Sequence, residues 1–357
     1  MFRASPYLLF LTLFLTACKT PPPNWVENPH STYPDSRYLV AVGEGDTRRT
    51  AENVADAQLA RIFESRIESA DELLDQSKES TKTFSRTSEL SSQIRISANQ
   101  TLFNIQHAES WVDAHGRVHA VAYLDRRKTA AIYQEKIDQE NQQILFLIKQ
   151  AEKSKNPLQK YALLRGANQH AKQQALLLRQ LQTIHAPTFS SISLQYTLPE
   201  LQKALAASAR AVRVHIQTNG ELSEQIVPLL EHLATHFGFV VTAPPASLKM
   251  IGHLAFQDLE KSPSDLFFVR YQFQLQLKDD QNQTLFVLEK KGREAHISSQ
   301  EARFRALRTL SRALSADGIA RLEAYFDDML PQKKPSTTNH KQPTKNPKNI
   351  PSQGIGK

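Results

Sequence analysis

Apolar and polar positions recur along this chain with two different periods, and the switches between them mark out its elements. Tyr38-Leu39-Val40-Ala41-Val42 is an apolar run stopped by Gly43-Glu44-Gly45, which predicts a strand. A helix is predicted to begin near Asp46 or Thr47, because either side chain can accept from the free amides of a first turn. Its apolar positions Ala51, Val54, Ala55, Leu59, Ile62, Phe63 and Ile67 fall on one helical face. The stretch 69–95 is polar, Ser/Thr-rich and only weakly periodic. Ile105 to Trp111 and Val118 to Leu124 then read as two extended runs about a hairpin turn at Asp113-Ala114-His115-Gly116.

The second half repeats the outline. Val212, Val214 and Ile216 alternate with Arg213 and His215, so that strand buries one face. The helix after it carries Leu222, Ile226, Leu229, Leu230, Leu233 and Phe237, and Gly238 is placed to terminate it. Short strands are predicted at Phe239-Val240-Val241 and from Leu248 to Phe256. Phe267 to Leu277 alternates through Val269, Tyr271, Phe273 and Leu275, turns at Asp279-Asp280-Gln281-Asn282 and returns through Leu285 and Val287. One final helix opens on Ser298 and Glu301, spaced as a capping box, and carries Ala302, Leu307, Leu310, Leu314 and Leu322. Between the halves, Ile137, Ile144, Ile148 and Ala151 line one helix and Leu158, Tyr161, Ala162, Ala171, Ala175 and Leu178 another, with Asn156-Pro157 as the break. This helical hairpin reads as a spacer, as a site for a partner helix, or as an arm packed on its own domains.

The expected fold class is therefore α+β: two strand-helix-hairpin domains with mostly antiparallel sheets, joined by a helical hairpin. The expected boundaries are 25–127 for the first domain, 128–184 for the hairpin and 207–330 for the second domain. Residues 331–357 form a Lys/Pro/Asn/Ser/Thr-rich tail that reads as disordered.

The amino terminus departs from both periods. Behind Arg3, residues 7–15 are almost unbroken apolar, too short for the roughly 20 residues of a permanent span, which marks a cleaved secretory signal. Leu15-Thr16-Ala17-Cys18 then reads as a lipobox: small residues beside the scissile bond, and a thiol to take the diacylglycerol. Residues 1–17 are the expected signal peptide, Cys18 the lipidation site, and 18–24, with Pro21-Pro22-Pro23, a stiff tether. The expected prosthetic chemistry is confined to covalent diacylglycerol and an N-acyl lipid on Cys18, with no other cofactor. Because Cys18 is the only cysteine, no disulfide can form within the chain. Lys19 rather than Asp follows it, which in the diderm sorting rule points to the outer membrane.

At 40% apolar and 22% charged, the composition is that of globular protein. The net charge of +8 resembles a nucleic-acid signal until it is located. Removing the tail's six lysines and Arg3 leaves the body near +1, so a basic groove for nucleic acid is not indicated. The tail itself is a candidate for anionic lipid heads or envelope polymers, set against a solvated tail that only aids solubility.

Candidate chemistry elsewhere is thin. Gly43-x-Gly45 before a helix lacks the third glycine of a dinucleotide fingerprint, with Arg48 in its place, so it is read as a tight strand-to-helix turn. His232 and His236 have the i, i+4 spacing of a zinc helix, yet Leu233 stands where that motif carries its general base, and both are read as surface flank. His115 and His119 are likewise read as surface. No Gly-x-Ser-x-Gly occurs, and Asp279-Asp280 and Asp327-Asp328 are read as a turn and a helix end. Trp25 and Trp111 are read as packing residues, with ligand binding as the alternative. Catalytic, metal and cofactor-binding residues are thus expected to be none, and the protein is expected not to be an enzyme.

Pro22-Pro23-Asn24-Trp25-Val26, then Tyr38-Leu39-Val40-Ala41-Val42-Gly43-Glu44-Gly45 and a helix with Ala51, Ala55, Ala57 and Ala60, resembles the Lpp-twenty lipoprotein family. Trp111-Val112-Asp113-Ala114-His115-Gly116 and Ala120-Val121-Ala122-Tyr123-Leu124-Asp125-Arg126 look like the closing hairpin of that module, over residues 25–133. The resemblance implies a lipid-anchored outer-membrane lipoprotein with no catalytic residues, acting as a structural or assembly factor of an envelope machine, the flagellum being one precedent. The second domain's order resembles accessory domains of envelope lipoproteins, which implies as alternative a regulatory binding module for a wall-synthesis or secretion complex. An envelope protein partner is expected in either case.

Overall fold

The computed structural model describes residues 21–76, 102–259 and 266–331, and the side chains of all of these except 68–76. The signal segment with Leu15, Thr16, Ala17 and Cys18, much of the polar stretch 69–95 and the tail 332–357 lie outside the described residues. The architecture is α+β. Two one-turn helices, α1 (Asn24–Glu27) and α2 (Pro29–Thr32), lead into β1 (Tyr38–Gly45), α3 (Arg48–Gln76), β2 (Gln106–His107), β3 (Trp111–Val112) and β4 (Val118–Asp125). Thr47 is the residue that caps α3: its Oγ1 accepts from the Thr50 amide at 3.2 Å.

β1 pairs antiparallel with β4 along its whole length, and β2 and β3 pair with the other side of β4. The expected run from Ile105 to Trp111 is thus two short pairings rather than one strand. The turn after it is built as expected. Asp113 Oδ1 accepts from the amides of His115 at 2.8 Å and Arg117 at 2.9 Å, and Gly116 takes a φ of +83°, which favours glycine.

The glycines of β1 do something other than turn the chain. Gly43 lies inside the strand, opposite Ala120, and a Cβ on it would stand 2.2 Å from the backbone nitrogen of Ala55. Along the buried face of β1, Leu39, Ala41, Gly43 and Gly45 shrink in order. Phe63, Leu59 and Ala55 of α3 are buried in the same core, and at the glycine end the backbone of α3 at Ala51 and Ala55 lies directly against the strand.

Two 28-residue helices follow: α4 (Arg126–Lys153) and α5 (Pro157–Ile184), each about 42 Å long at 1.5 Å per residue. Asn156 caps α5, its Oδ1 accepting from the amides of Leu158 and Gln159. They are no free spacer. Ala130, Tyr133 and Ile137 of α4, with Leu177, Leu181 and Ile184 of α5, complete the first sheet's core, which therefore runs past Arg127. Leu158, Tyr161 and Ala162, at the other end of the hairpin, belong to the second core. Between them Ile144, Leu147, Ile148, Leu163, Leu164 and Ala167 form a core of their own, closed by Leu201.

Leu201 belongs to a helix that apolar periodicity had not marked, α7 (Leu198–Ala211), which follows the short α6 (Ala186–Ser191). Its start was encoded all the same: the Glu200 carboxylate accepts from the Thr197 amide at 2.8 Å, the return bond of a capping box.

The second unit consists of β5 (Arg213–Gly220), α8 (Ser223–His236), β6 (Val240–Val241), β7 (Leu248–Asp258), β8 (Phe267–Asp279), β9 (Thr284–His296) and α9 (Ser299–Ala313). Strand order is β6-β5-β7-β8-β9. β5 runs parallel to both β6 and β7, while β7-β8-β9 is antiparallel. The two halves therefore share an outline but not a pairing scheme, since β1 meets its partner strand antiparallel and β5 meets its neighbours parallel. The last helix is not continuous either. A π-turn at Leu314–Gly318 separates α9 from α10 (Ile319–Asp328), and it keeps Leu314, Leu322 and Phe326 all in the core.

All helices of this unit pack on one face of the sheet. Tyr271, Phe273, Leu275 and Leu277 are buried in one core with Ile226, Leu230, Leu233, Leu310 and Phe326, and Val269 is buried on the same face, whereas Arg270 and Gln272 are exposed. Phe273 is 0% exposed. Phe273→Ala is therefore expected to cost about 3–5 kcal/mol and to lower the urea midpoint markedly. Gln274→Ala, which removes only outer-face hydrogen bonds to Glu289 and Gln276, is expected to change stability by less than about 0.5 kcal/mol. A larger loss from Gln274→Ala than from Phe273→Ala would invert the assigned faces.

Candidate functional site

The described chain enters at Pro21 and is fastened within a few residues. Trp25 is buried on the face of the first sheet away from α3, against Val40 and Val121, with Tyr33, Trp111 and Tyr123 at the margin. Tyr33 stacks on Tyr123 at 4.8 Å between centroids, and Tyr38 meets both edge-on. Trp25 is thus a packing residue, and Trp111 lies partly buried at the edge of the same cluster. Trp111 also covers His119, at 5.4 Å between rings, and the His119 Nε2 lies 3.4 Å from Asp113 Oδ2. His119 is therefore half-buried, not a surface side chain as its place after a turn suggested; His115 is exposed.

The strongest electrostatic construction is one that periodicity could not reveal. Arg126 opens α4 and is buried. Its Nε donates to the Asp35 carbonyl at 2.8 Å and its Nη2 to the Asp35 carboxylate at 3.0 Å. Its Nη1 donates to the carbonyls of Thr183 at 3.1 Å and Ile184 at 2.9 Å, at the carboxy end of α5. A guanidinium suits that place, because the last carbonyls of a helix lack intrahelical donors and carry partial negative charge. Arg66, from α3, donates to the same Asp35 oxygen at 3.0 Å. Beside it, Asp125 caps α4 by accepting from the amides of Arg127 and Lys128, each at 3.1 Å, and faces Arg37 at 3.4 Å.

The remaining candidates stay apart. His232 and His236 are both exposed on α8, and among the described residues no three potential ligands converge as a metal site. Asp279 closes the β8–β9 turn, accepting from the Gln283 amide at 2.7 Å. Asp327 pairs with Arg165 of α5, which also reaches Glu323 at 3.3 Å and so ties the hairpin to α10.

No family model matches the chain. No curated protein matches it either. Among solved structures, a secreted protein from the human pathogen Helicobacter pylori is similar over 83% of this chain and 99% of its own, at 12% identity and a TM-score of 0.41. A minor lipoprotein from Acinetobacter baumannii is similar over 35% of this chain and 98% of its own, at 10% identity and a TM-score of 0.24. At these scores neither likeness carries an argument about fold or function. Among the described residues, no helix is long and apolar enough to cross a membrane.

Two outcomes follow from the Arg126 junction. Lysine keeps the charge but not the fork that reaches two helix-terminal carbonyls and Asp35 together. Arg126→Lys is therefore expected to lower stability by about 2–4 kcal/mol in urea denaturation; a wild-type midpoint would show that charge alone suffices. Asp125 supplies a pH signature. Burial alone raises its carboxyl, but the Lys128 amide, Arg37 and the Arg127 amide outweigh burial and hold it below the ordinary range. A depressed folded value adds stability above the unfolded value of about 4 and loses it as pH falls through the folded one. Asp125→Asn is thus expected to be less stable than wild type at pH 7, with the gap closing below about pH 4. A gap of constant size down to pH 2 would contradict this.

Proposed function

We propose that this protein is a lipid-anchored, non-enzymatic lipoprotein of the bacterial cell envelope, a structural or assembly factor whose first module is of the Lpp-twenty kind. The observation that carries the reading is the spacing between two features. Cys18 closes a lipobox, and Trp25, only seven residues later, is buried on the first sheet. Seven residues span at most about 25 Å, so an acyl group on Cys18 holds the outer face of that sheet close to the lipid. The three prolines in between limit the slack. Lys19 supports residence in the outer membrane. An assembly role suits a body in which one helical hairpin contributes to both sheets' cores.

Cys18→Ala is expected to abolish palmitate incorporation and to leave an uncleaved precursor that migrates with residues 1–17 still attached. Undiminished labelling in that variant would end the lipoprotein reading.

A further inference from the structure

Among the described residues the five-stranded sheet has helices on one face only, and its other face is set out in rows of like charge. Lys249 lies directly opposite Lys278 on β7 and β8, and His215 is in register with Lys249 on β5. Toward the other end, Arg270 of β8 lies directly opposite Arg293 of β9. Like charges facing each other across a sheet are unfavourable. Neutralisation is lacking nearby: Glu289 is the one acid on this face among the described residues, and it is engaged by Lys291 at 3.5 Å and Gln274 at 3.2 Å. None of the four facing cations is ion-paired among the described residues. Arg293 is instead held over the Phe268 ring, at 4.1 Å to its centroid, and Lys249 only reaches an amide oxygen, of Asn282, at 3.4 Å. This concentration occurs on a body whose net charge, this face included, is only about +1, so the cations are gathered here rather than spread evenly.

Between the two cationic rows stand Gln272, Gln274 and Gln276, whose amides both donate and accept; Gln276 already donates to Gln274 at 3.0 Å. From Arg270 to Lys278 the strand rises about 26 Å. We propose that this face binds a linear acidic polysaccharide laid along β8, its carboxylates meeting the Lys249–Lys278 and Arg270–Arg293 rows and its hydroxyls the glutamines between. A glycan fits better than a bilayer surface. Adjacent strands rotate by about 20–25°, so the face turns through about 80–100° over five strands and offers no plane. Each row then offers an anion two cations that otherwise repel one another, and binding relieves that repulsion. The proposal is independent of the lipid anchor.

The test uses the full chain in non-ionic detergent, with polygalacturonate as probe, neutral dextran as control and phosphatidylglycerol-doped micelles as the competing surface. Lys249→Glu and Arg270→Glu each turn a like-charge pair into an opposite-charge pair, so neither is expected to lower the urea midpoint. Combined, they are expected to weaken polygalacturonate binding by about tenfold or more at low salt, with the difference shrinking as salt rises. Dextran is expected not to bind either form. Three results would overturn the proposal: affinity unchanged within about twofold, which would place the polymer on another surface such as the lysine-rich tail; equal binding of dextran; or loss of association with the phosphatidylglycerol micelles alone.

Discussion

The packing of the first half depends on what happens to a single buried guanidinium. Arg126 sits where β4 becomes α4, and four of its hydrogen bonds reach two places that are remote in sequence: Asp35, before β1, and the last carbonyls of α5. The arginine thus fixes the entrance of the sheet, the start of one hairpin helix and the end of the other at one point. Burying a charge is costly unless every direction is answered. Here the answers are a carboxylate, a loop carbonyl and the negative end of a helix, so the ion takes the place of donors that the α5 terminus lacks. Asp125, its neighbour, serves the opposite helix end, accepting the orphan amides of α4. Adjacent residues of opposite charge therefore satisfy opposite helix termini, and their order in the chain follows from the direction in which each helix runs.

From that point the hairpin acts as a shared column. One end completes the core under β1 and β4, and the other, through Leu158, Tyr161 and Arg165, completes the core under β8 and holds α10. A two-layer unit with helices on one face has little depth, and each half gains from borrowing the same pair of helices. Without a disulfide to restrain the unfolded chain, this sharing of apolar surface is what links the two sheets.

The periods of the sequence carried the elements well wherever one face is buried and the other wet. The β8 alternation placed Val269, Tyr271, Phe273, Leu275 and Leu277 inward as the structure does, because a strand's side-chain period leaves no other register. Three features escaped. The Gly43 reading took the conformational freedom of glycine for its use, whereas the residue is there to let a helix backbone approach within reach of a strand; only the contact across α3 reveals that. Helix α7 escaped because its apolar face is thin, although Thr197 and Glu200 marked its start. Arg126 stood inside a recognisable stretch, but its role arises from Asp35 and Ile184, and no local pattern encodes partners 91 and 58 residues away.

The outer faces of the two sheets separate the kinds of work each surface does. On the first, Val40, Val42, Val121 and Tyr123 would be an exposed apolar patch, and the chain returns its own Trp25 and Tyr33 to cover it. That face is used up by the chain's own first described residues. On the second, Gln272, Gln274 and Gln276 are polar and need no such cover. Val287, 46% exposed, and Val240, 38% exposed, are its large apolar residues most open to solvent among the described residues, and they lie on opposite edge strands. Hydrophobic docking is thereby a poor description of this face, while its opposed cations make the sheet less stable than neutral pairs would. Lys249 and Arg270 keep only hydrogen bonds to Asn282 and Gln257 against that cost, so the two positions are better understood through what the face meets than through the packing behind it.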